Sequence, residues 1–188
     1  MAPQDELTAA FPSAPEDSTA PRYFRDVLGN VPTGVVAVTT HDPDEGPVAM
    51  VVGSFGSVSL SPPLVMFMAA RTSTTFARIQ QSGRFAVNVL AADQLDLCRS
   101  IVAKEPDRFR TLSTRSSTVT SPLFEGIVAW IDCTLEQVVD AGDHFIALGR
   151  VDDLAIESTK LPLLFFRGGY GGFKPHAPRV TDWFLGWG

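Results

Sequence analysis

From residue 35 onward the chain is written in short apolar runs separated by polar breaks. The run 35–40, Val-Val-Ala-Val-Thr-Thr, is β-branched and apolar and predicts a strand. Residues 41–47 carry two prolines, three acids and a glycine and predict a polar turn. Residues 48–55 resume an extended pattern, and Pro62-Pro63 breaks the chain before the apolar run 64–68, so this stretch predicts a β-meander. Residues 74–82 predict a helix with Phe76 and Ile79 on one face, closed by Gly83. A strand over 85–90 follows. Asp93 predicts an N-cap for a helix carrying Leu95, Leu97, Ile101 and Val102. Residues 104–124 are mixed and Ser/Thr-rich and predict an exposed excursion. Ile127, Ala129, Ile131, Cys133 and Leu135 then alternate with Val128, Trp130, Asp132, Thr134 and Glu136, as in a strand with two unlike faces. The turn Ala141-Gly142-Asp143 leads into a long strand over 144–156, and a last one covers 163–166.

Two ends flank this pattern. Residues 1–21 read as a disordered tail interrupted by Pro3, Pro12, Pro15 and Pro21, and a short helix from Tyr23 places Phe24, Val27 and Leu28 at helical spacing before Gly29. The domain proper spans 22–173. Residues 174–188 form a second tail whose Trp183-Phe184-Leu185-Gly186-Trp187 predicts docking on its own domain or on another subunit. The number and length of strands predict a mainly β fold, a closed or nearly closed antiparallel barrel with peripheral helices as plugs.

Composition narrows the function. Hydrophobic residues are 45% and charged residues 19% of 188, which is globular and large enough for a core without staples. The 15 Lys+Arg against 21 Asp+Glu leave a net charge of −6, which argues against nucleic acid as a partner. No run of 18 apolar residues predicts a membrane span, and the acidic N-terminus has no signal-peptide n-region. Cys98 and Cys133 stand far apart and predict reduced thiols in a cytoplasmic protein. The three histidines have no metal-ligand spacing, so no metal site is expected.

Four segments carry candidate chemistry. Arg71-Thr72-Ser73-Thr74-Thr75 opens the helix over 74–82, where free amides, a positive dipole end, hydroxyls and a guanidinium would suit a phosphate; Ser73 as a plain N-cap is the other reading. Ser54-Phe55-Gly56-Ser57-Val58-Ser59 sets small hydroxylated residues between apolar strands, either a surface that a flat ligand approaches or an ordinary loop. In Gly142-Asp143-His144 the imidazole either faces a pocket mouth or is a structural histidine held by Asp143. Pro32-Thr33-Gly34-Val35 feeds a strand and is either a site loop or a turn. The acid pairs Asp42/Asp44 and Asp152/Asp153 read as solvated surface. There is no P-loop, G-x-S-x-G elbow or H-E-x-x-H.

The order of these motifs is more specific than any one of them. Pro32-Thr33-Gly34-Val35, the run Ser57-Val58-Ser59-Leu60-Ser61-Pro62-Pro63-Leu64, Ser73-x-Thr75, Phe85-Ala86-Val87-Asn88, Gly142-Asp143-His144 and Pro162-Leu163-Leu164-Phe165-Phe166-Arg167-Gly168-x-Tyr170 together resemble the short-chain flavin reductase family. These are the small reductase partners of two-component flavin-dependent monooxygenases, and the resemblance covers about residues 23–173.

The resemblance implies an FMN-binding split β-barrel of Greek-key type and a homodimer with flavin near the subunit interface. It implies that NADH or NADPH reduces FMN or FAD, which then feeds an oxygenase. By the same resemblance Pro32, Thr33, Gly34, Val35, Met50, Val51, Ser54, Phe55, Ser57 and Val58 would line the flavin. Ser73 and Thr75 would hold its phosphate, Phe85 and Asn88 would lie near the ring or ribityl chain, His144 would face the nicotinamide, and Tyr170 would border the cleft. Where many members read G-M-T or G-F-T, this chain has Ala49, Met50 and Val51, which removes a hydroxyl from the flavin side. No clear Arg pair marks a 2′-phosphate site, so NADH is the expected nucleotide. Two other classes fit a split barrel: a flavin carrier or sensor without turnover, and a pyridoxine-phosphate-type oxidase, which the scarcity of basic residues in the candidate pocket disfavours.

Overall fold

A computed structural model describes residues 19–109, 111–113 and 121–175. The predicted tails lie almost wholly outside these residues, as do His176 and the aromatic segment 183–187. In chain order the elements are helix α1 (Pro21–Leu28), strands β1 (Thr33–Gly34), β2 (Val36–Asp42), β3 (Gly46–Val52), β4 (Gly56–Leu60) and β5 (Pro63–Ala70), helix α2 (Thr74–Ser82), β6 (Arg84–Val89), helix α3 (Leu95–Val102), β7 (Leu112–Ser113), β8 (Leu123–Phe124), β9 (Ala129–Ala141), β10 (His144–Ile156), β11 (Leu163–Phe166) and β12 (Gly169–Gly172).

Seven strands form one antiparallel sheet in the order β3-β2-β6-β9-β10-β5-β4, and β1-β11-β12 form a second. The meander expected over residues 35–68 does not persist. β2 and β3 pair as a hairpin, but the bend at Gly53-Ser54-Phe55 sends β4 and β5 to the far side of the sheet, where β5 pairs with β10. β3 and β4 become opposite edges. The sheet curls until β3 meets β5, and α2 packs on β2, β3 and β6.

Both faces of the central strands are covered, which explains the continuous apolar run of β2. Val36, Val38, Val65, Phe67, Phe76, Phe85, Val87, Cys133 and Ala147 fill the barrel. Ala37, Ala86, Leu90, Cys98, Ile101, Phe124 and Trp130 form the other cluster, under α3. The sheet face of β9 that carries Trp130 and Asp132 is therefore interior as well. The expected exposed excursion ends in buried Ser121, Leu123 and Phe124. Asp93 does not cap α3: Gln94 stands at that position, and Asp93 pairs with Lys160 at 2.7 Å. Asp42 is buried rather than solvated. It accepts the amides of Asp44 and Glu45 and pairs with Arg78 at 3.4 Å. These amides, the Glu45 one foremost, hold its carboxyl below the usual range.

Candidate active site

β5 is the spine of the site. Near its end the backbone N–H of Met68 donates to Ser54 Oγ at 2.9 Å, which ties the β3–β4 bend to the strand. Two residues on, Ala70 pairs with His144 at the start of β10. Ser73 N then donates to Ala70 O, and Ser73 Oγ accepts the amide of Phe76 at 3.1 Å, starting α2. The helix ends at Gly83 in the left-handed region, φ 67°, as its sequence predicts.

α2 sits against β3. Thr75 Oγ1 lies 3.4 Å from Ala49 O, and Ser73 Oγ lies 3.9 Å from Met50 Sδ. The first amides of the helix have no partner within it, and its dipole adds positive potential at the same point. Ser73 is thus the N-cap of α2, its Oγ accepting the Phe76 amide while its hydroxyl proton points at Met50 Sδ.

A second group of predicted residues continues the rim. A Cβ at Gly53 would stand 2.6 Å from Thr33 Oγ1, so only glycine at 53 leaves room for that hydroxyl. Thr33 pairs with Phe165, which packs edge-on against Tyr170 with centroids 5.1 Å apart. Pro32, Leu164, Phe166, Tyr170 and the glycines of β12 line a trough of about 440 Å³. Tyr170 Oη lies 3.6 Å from the Cys98 thiol, and this contact with partial burial raises the phenol above its ordinary range. Gly34 is exposed next to Thr33, Phe55 packs partly on the barrel core, and Ser57 and Val58 are exposed on edge strand β4.

His144 is half-exposed. Its Nδ1 lies 2.7 Å from Asp143 Oδ1, and this hydrogen bond holds the Asp143 carboxyl below the usual range. An ionised carboxylate accepts only, so neutral His144 carries its proton on Nδ1 and presents Nε2 as an acceptor.

Several expectations fail on burial. Phe85 is enclosed in the barrel, edge-on to Phe67 at 5.2 Å, and offers no surface to a ligand. Asn88 is equally buried. Its Nδ2 donates to Ala37 O and Thr39 Oγ1, and its Oδ1 accepts the amide of Phe124 at 2.9 Å, so its amide is fully engaged inside the protein. Val35 is buried, its N–H and C=O bonded to Leu163 and Leu90. Val51 packs on the α3 side of β3, away from Met50 and Ser73. Arg71 does not face the α2 terminus. Its Nε donates to Gly142 O at 2.6 Å and its Nη2 to Asp140 Oδ1 at 2.6 Å. Asp140 has no signal in the sequence, because it stands 69 positions from the arginine that it meets.

Residues 28–174 match the flavin reductase like domain family. A flavin reductase of Pseudomonas putida is 53% identical over 153 residues, covering 81% of this chain and 90% of that protein. The reductase subunit HsaB of a flavin-dependent monooxygenase from Rhodococcus jostii is 44% identical over 163 residues, 87% of this chain and 83% of its own. The solved structure of Streptomyces globisporus NADH:FAD oxidoreductase SgcE6, in complex with NAD and FAD fragments, superposes with a TM-score of 0.78 at 33% identity, covering 86% of this chain and 97% of that one. The split barrel is the fold of such reductases, and the chain belongs to the flavin reductase family, catalysing the reduction of flavin by a reduced nicotinamide nucleotide.

Proposed function

We propose that the protein reduces FAD with NADH, acts as a homodimer and releases reduced flavin to a separate flavin-dependent monooxygenase. The observation that carries this reading is the convergence of Ser54, Ser73 and His144 on the last residues of β5.

The residues present fit a flavin. Gly53, Ser54, Gly56 and Ser57 are small, so a flat ring can lie close to the backbone there, bordered by Pro32, Thr33, Gly34, Met50 and Phe55. The start of α2, with Ser73 and Thr75, suits the phosphate tail. Val58 and Tyr170 would close the sides of the cleft. When bound, the flavin supplies the ring that accepts a hydride. The chain orients and encloses. Hydride transfer needs no protein acid or base, so His144 acts by position: its Nε2 accepts a hydrogen bond from the amide N–H of the carboxamide, while Asp143 fixes the tautomer.

FAD is supported by the relative named for that cofactor, which is 33% identical. NADH is supported by Arg71: the guanidinium near His144 is already held by Gly142 and Asp140 and is not available to a 2′-phosphate. The monooxygenase partner rests on relatives such as the HsaB subunit. A homodimer is supported by the apolar face of α1, where Phe24, Val27 and Leu28 are exposed. Two buried free thiols suit a cytoplasmic setting, and no helix among the described residues is long and apolar enough to cross a membrane.

The test follows nicotinamide absorbance in air with NADH or NADPH and excess FAD or FMN. Continuous consumption, fastest with NADH and FAD, is expected. A preference for NADPH or FMN overturns the cofactor choice, and consumption that stops at one equivalent indicates a carrier. His144→Ala should raise KM for NADH about tenfold with kcat changed less than about threefold. Unchanged kinetics remove His144 from the nucleotide site.

A further inference from the structure

We infer that Arg71 is a positioning residue that holds the β9–β10 turn in the one shape that aims His144 at the nicotinamide. The inference rests on the reading that His144 faces the nucleotide.

The turn needs an external hold. Ala141 and His144 pair directly, so only Gly142 and Asp143 join two 13-residue strands, with Gly142 at φ 66°. The last turns of β9 around it, Val139 and Asp140, are exposed and contribute nothing to the core. A two-residue loop at the tip of a long hairpin twists unless something grips it. The His144 backbone is already paired with Ala70 and Ala141, so such twisting would move Asp143 and, through its carboxylate, the imidazole.

Arg71 grips the tip from four directions. Its backbone N–H donates to Asp143 O at 3.0 Å. Its Nε donates to Gly142 O and its Nη2 to Asp140 Oδ1, each at 2.6 Å. Its guanidinium lies 4.6 Å from the centroid of the Phe145 ring. That ring rests on Phe76 of α2 at 5.7 Å, so the clamp is anchored in the core. The contacts bracket His144 in sequence, at 140, 142, 143 and 145. The Asp143 carboxylate then carries the constraint to His144 Nδ1 at 2.7 Å.

The chemistry requires arginine. One planar fork serves a carbonyl, a carboxylate and an aromatic face together, whereas an ammonium is a point charge that cannot satisfy all three. The position matters too. Arg71 lies two residues before Ser73, so the same short segment that starts the phosphate-binding helix also sets the histidine.

The experiment compares Arg71→Ala, Arg71→Lys, Asp140→Ala, His144→Ala and the Arg71→Ala/His144→Ala double variant in the full chain. It reads KM for NADH, KM for FAD, kcat, and amide hydrogen exchange of residues 140–146 without ligand. Arg71→Ala should raise KM for NADH about fivefold, leave KM for FAD within about twofold, and speed tip exchange about tenfold. Arg71→Lys should match Arg71→Ala. In the His144→Ala background the arginine substitution should add less than about twofold, because the two residues act as one unit. Asp140 is 76% exposed, so Asp140→Ala keeps the fold and should show a rise in KM for NADH of about twofold. An Arg71→Ala enzyme with unchanged tip exchange or unchanged KM for NADH, beside a defective His144→Ala, overturns the inference alone. So does an equal effect in both backgrounds, or a main effect on KM for FAD, which would make Arg71 a direct ligand. A His144→Ala enzyme with normal kinetics overturns the nucleotide-facing reading and this inference together.

Discussion

Cys133 sits in the barrel interior with a charged neighbour on its own strand. Burial pushes its thiol up to about 12, the carboxylates of Asp132 and Asp152 push the same way, and the Arg84 guanidinium opposes them. The thiol is the unreactive form, since nucleophilic attack and oxidation need the thiolate. An enzyme that releases reduced flavin in air meets oxidants, and a thiol held neutral survives them. Iodoacetamide at pH 8 should therefore leave Cys133 unmodified in the native protein while alkylating it in urea; rapid native labelling would show that the interior opens. The same shift has a sign for stability. An exposed thiol loses its proton near pH 8.5, so the contribution of Cys133 is complete below that pH. Above it the unfolded chain ionises and the folded one does not, and stability falls as pH rises towards 12. The slope is about 1.4 kcal/mol per pH unit, visible as a falling denaturant midpoint that flattens in Cys133→Ala.

Among the elements, β10 shows best how partners decide a strand's residues. A Cβ at Gly149 would overlap Cζ of Phe85, lie 2.9 Å from its Cε1 and 3.2 Å from Cβ of Cys133. The glycine exists because β6 sends a full aromatic ring into the barrel at that level. Gly149→Ala should cost about 2 kcal/mol through overpacking, read as a lower unfolding midpoint with KM for NADH and FAD unchanged at a permissive temperature. A shift in KM for FAD would return Phe85 to the ligand site. This contact also marks the boundary of what the sequence conveys. α2, its Ser73 cap and its Gly83 stop were legible because caps and helical spacing are local. β10 and the Gly142-Asp143 turn were legible for the same reason. Phe85 and Asn88 come to the site only through the family resemblance, which carries positions and not burial, and here both faces of their strand are interior. β1 and β12 were missed because Thr33 finds Phe165, and Phe165 finds Tyr170, only after the whole chain has folded. In the sequence Arg71 offers its charge to a phosphate at the α2 terminus as one of two readings, because its real partners, Gly142 and Asp140, stand about 70 positions away.

For the molecule as a whole, α1 presents an apolar face that nothing among the described residues covers. Phe24, Val27 and Leu28 share one face at helical spacing and are 54%, 49% and 50% exposed, and no residue of the helix is buried. The helix stays attached by its C-terminal end, where Arg167 donates to Gly29 O and to Asn30 Oδ1 at 2.8 Å. Val31 extends the apolar strip towards Pro32 and the trough beside Tyr170. A bare apolar face of this kind is unfavourable in water, and in the proposed homodimer a second copy of the chain would cover it. A partner docked there would stand at the open side of the site, next to the residues proposed to border the flavin. Sedimentation at micromolar concentration should therefore give twice the 20.3 kDa chain mass. Leu28→Glu together with Val27→Glu should shift the protein towards monomer and raise KM for FAD about tenfold, because half of the flavin's surroundings would leave with the partner. A wild-type monomer with full activity would refute the arrangement. A Glu variant that stays dimeric would move the interface to another apolar surface, such as the exposed Leu154 and Ile156 at the far end of β10.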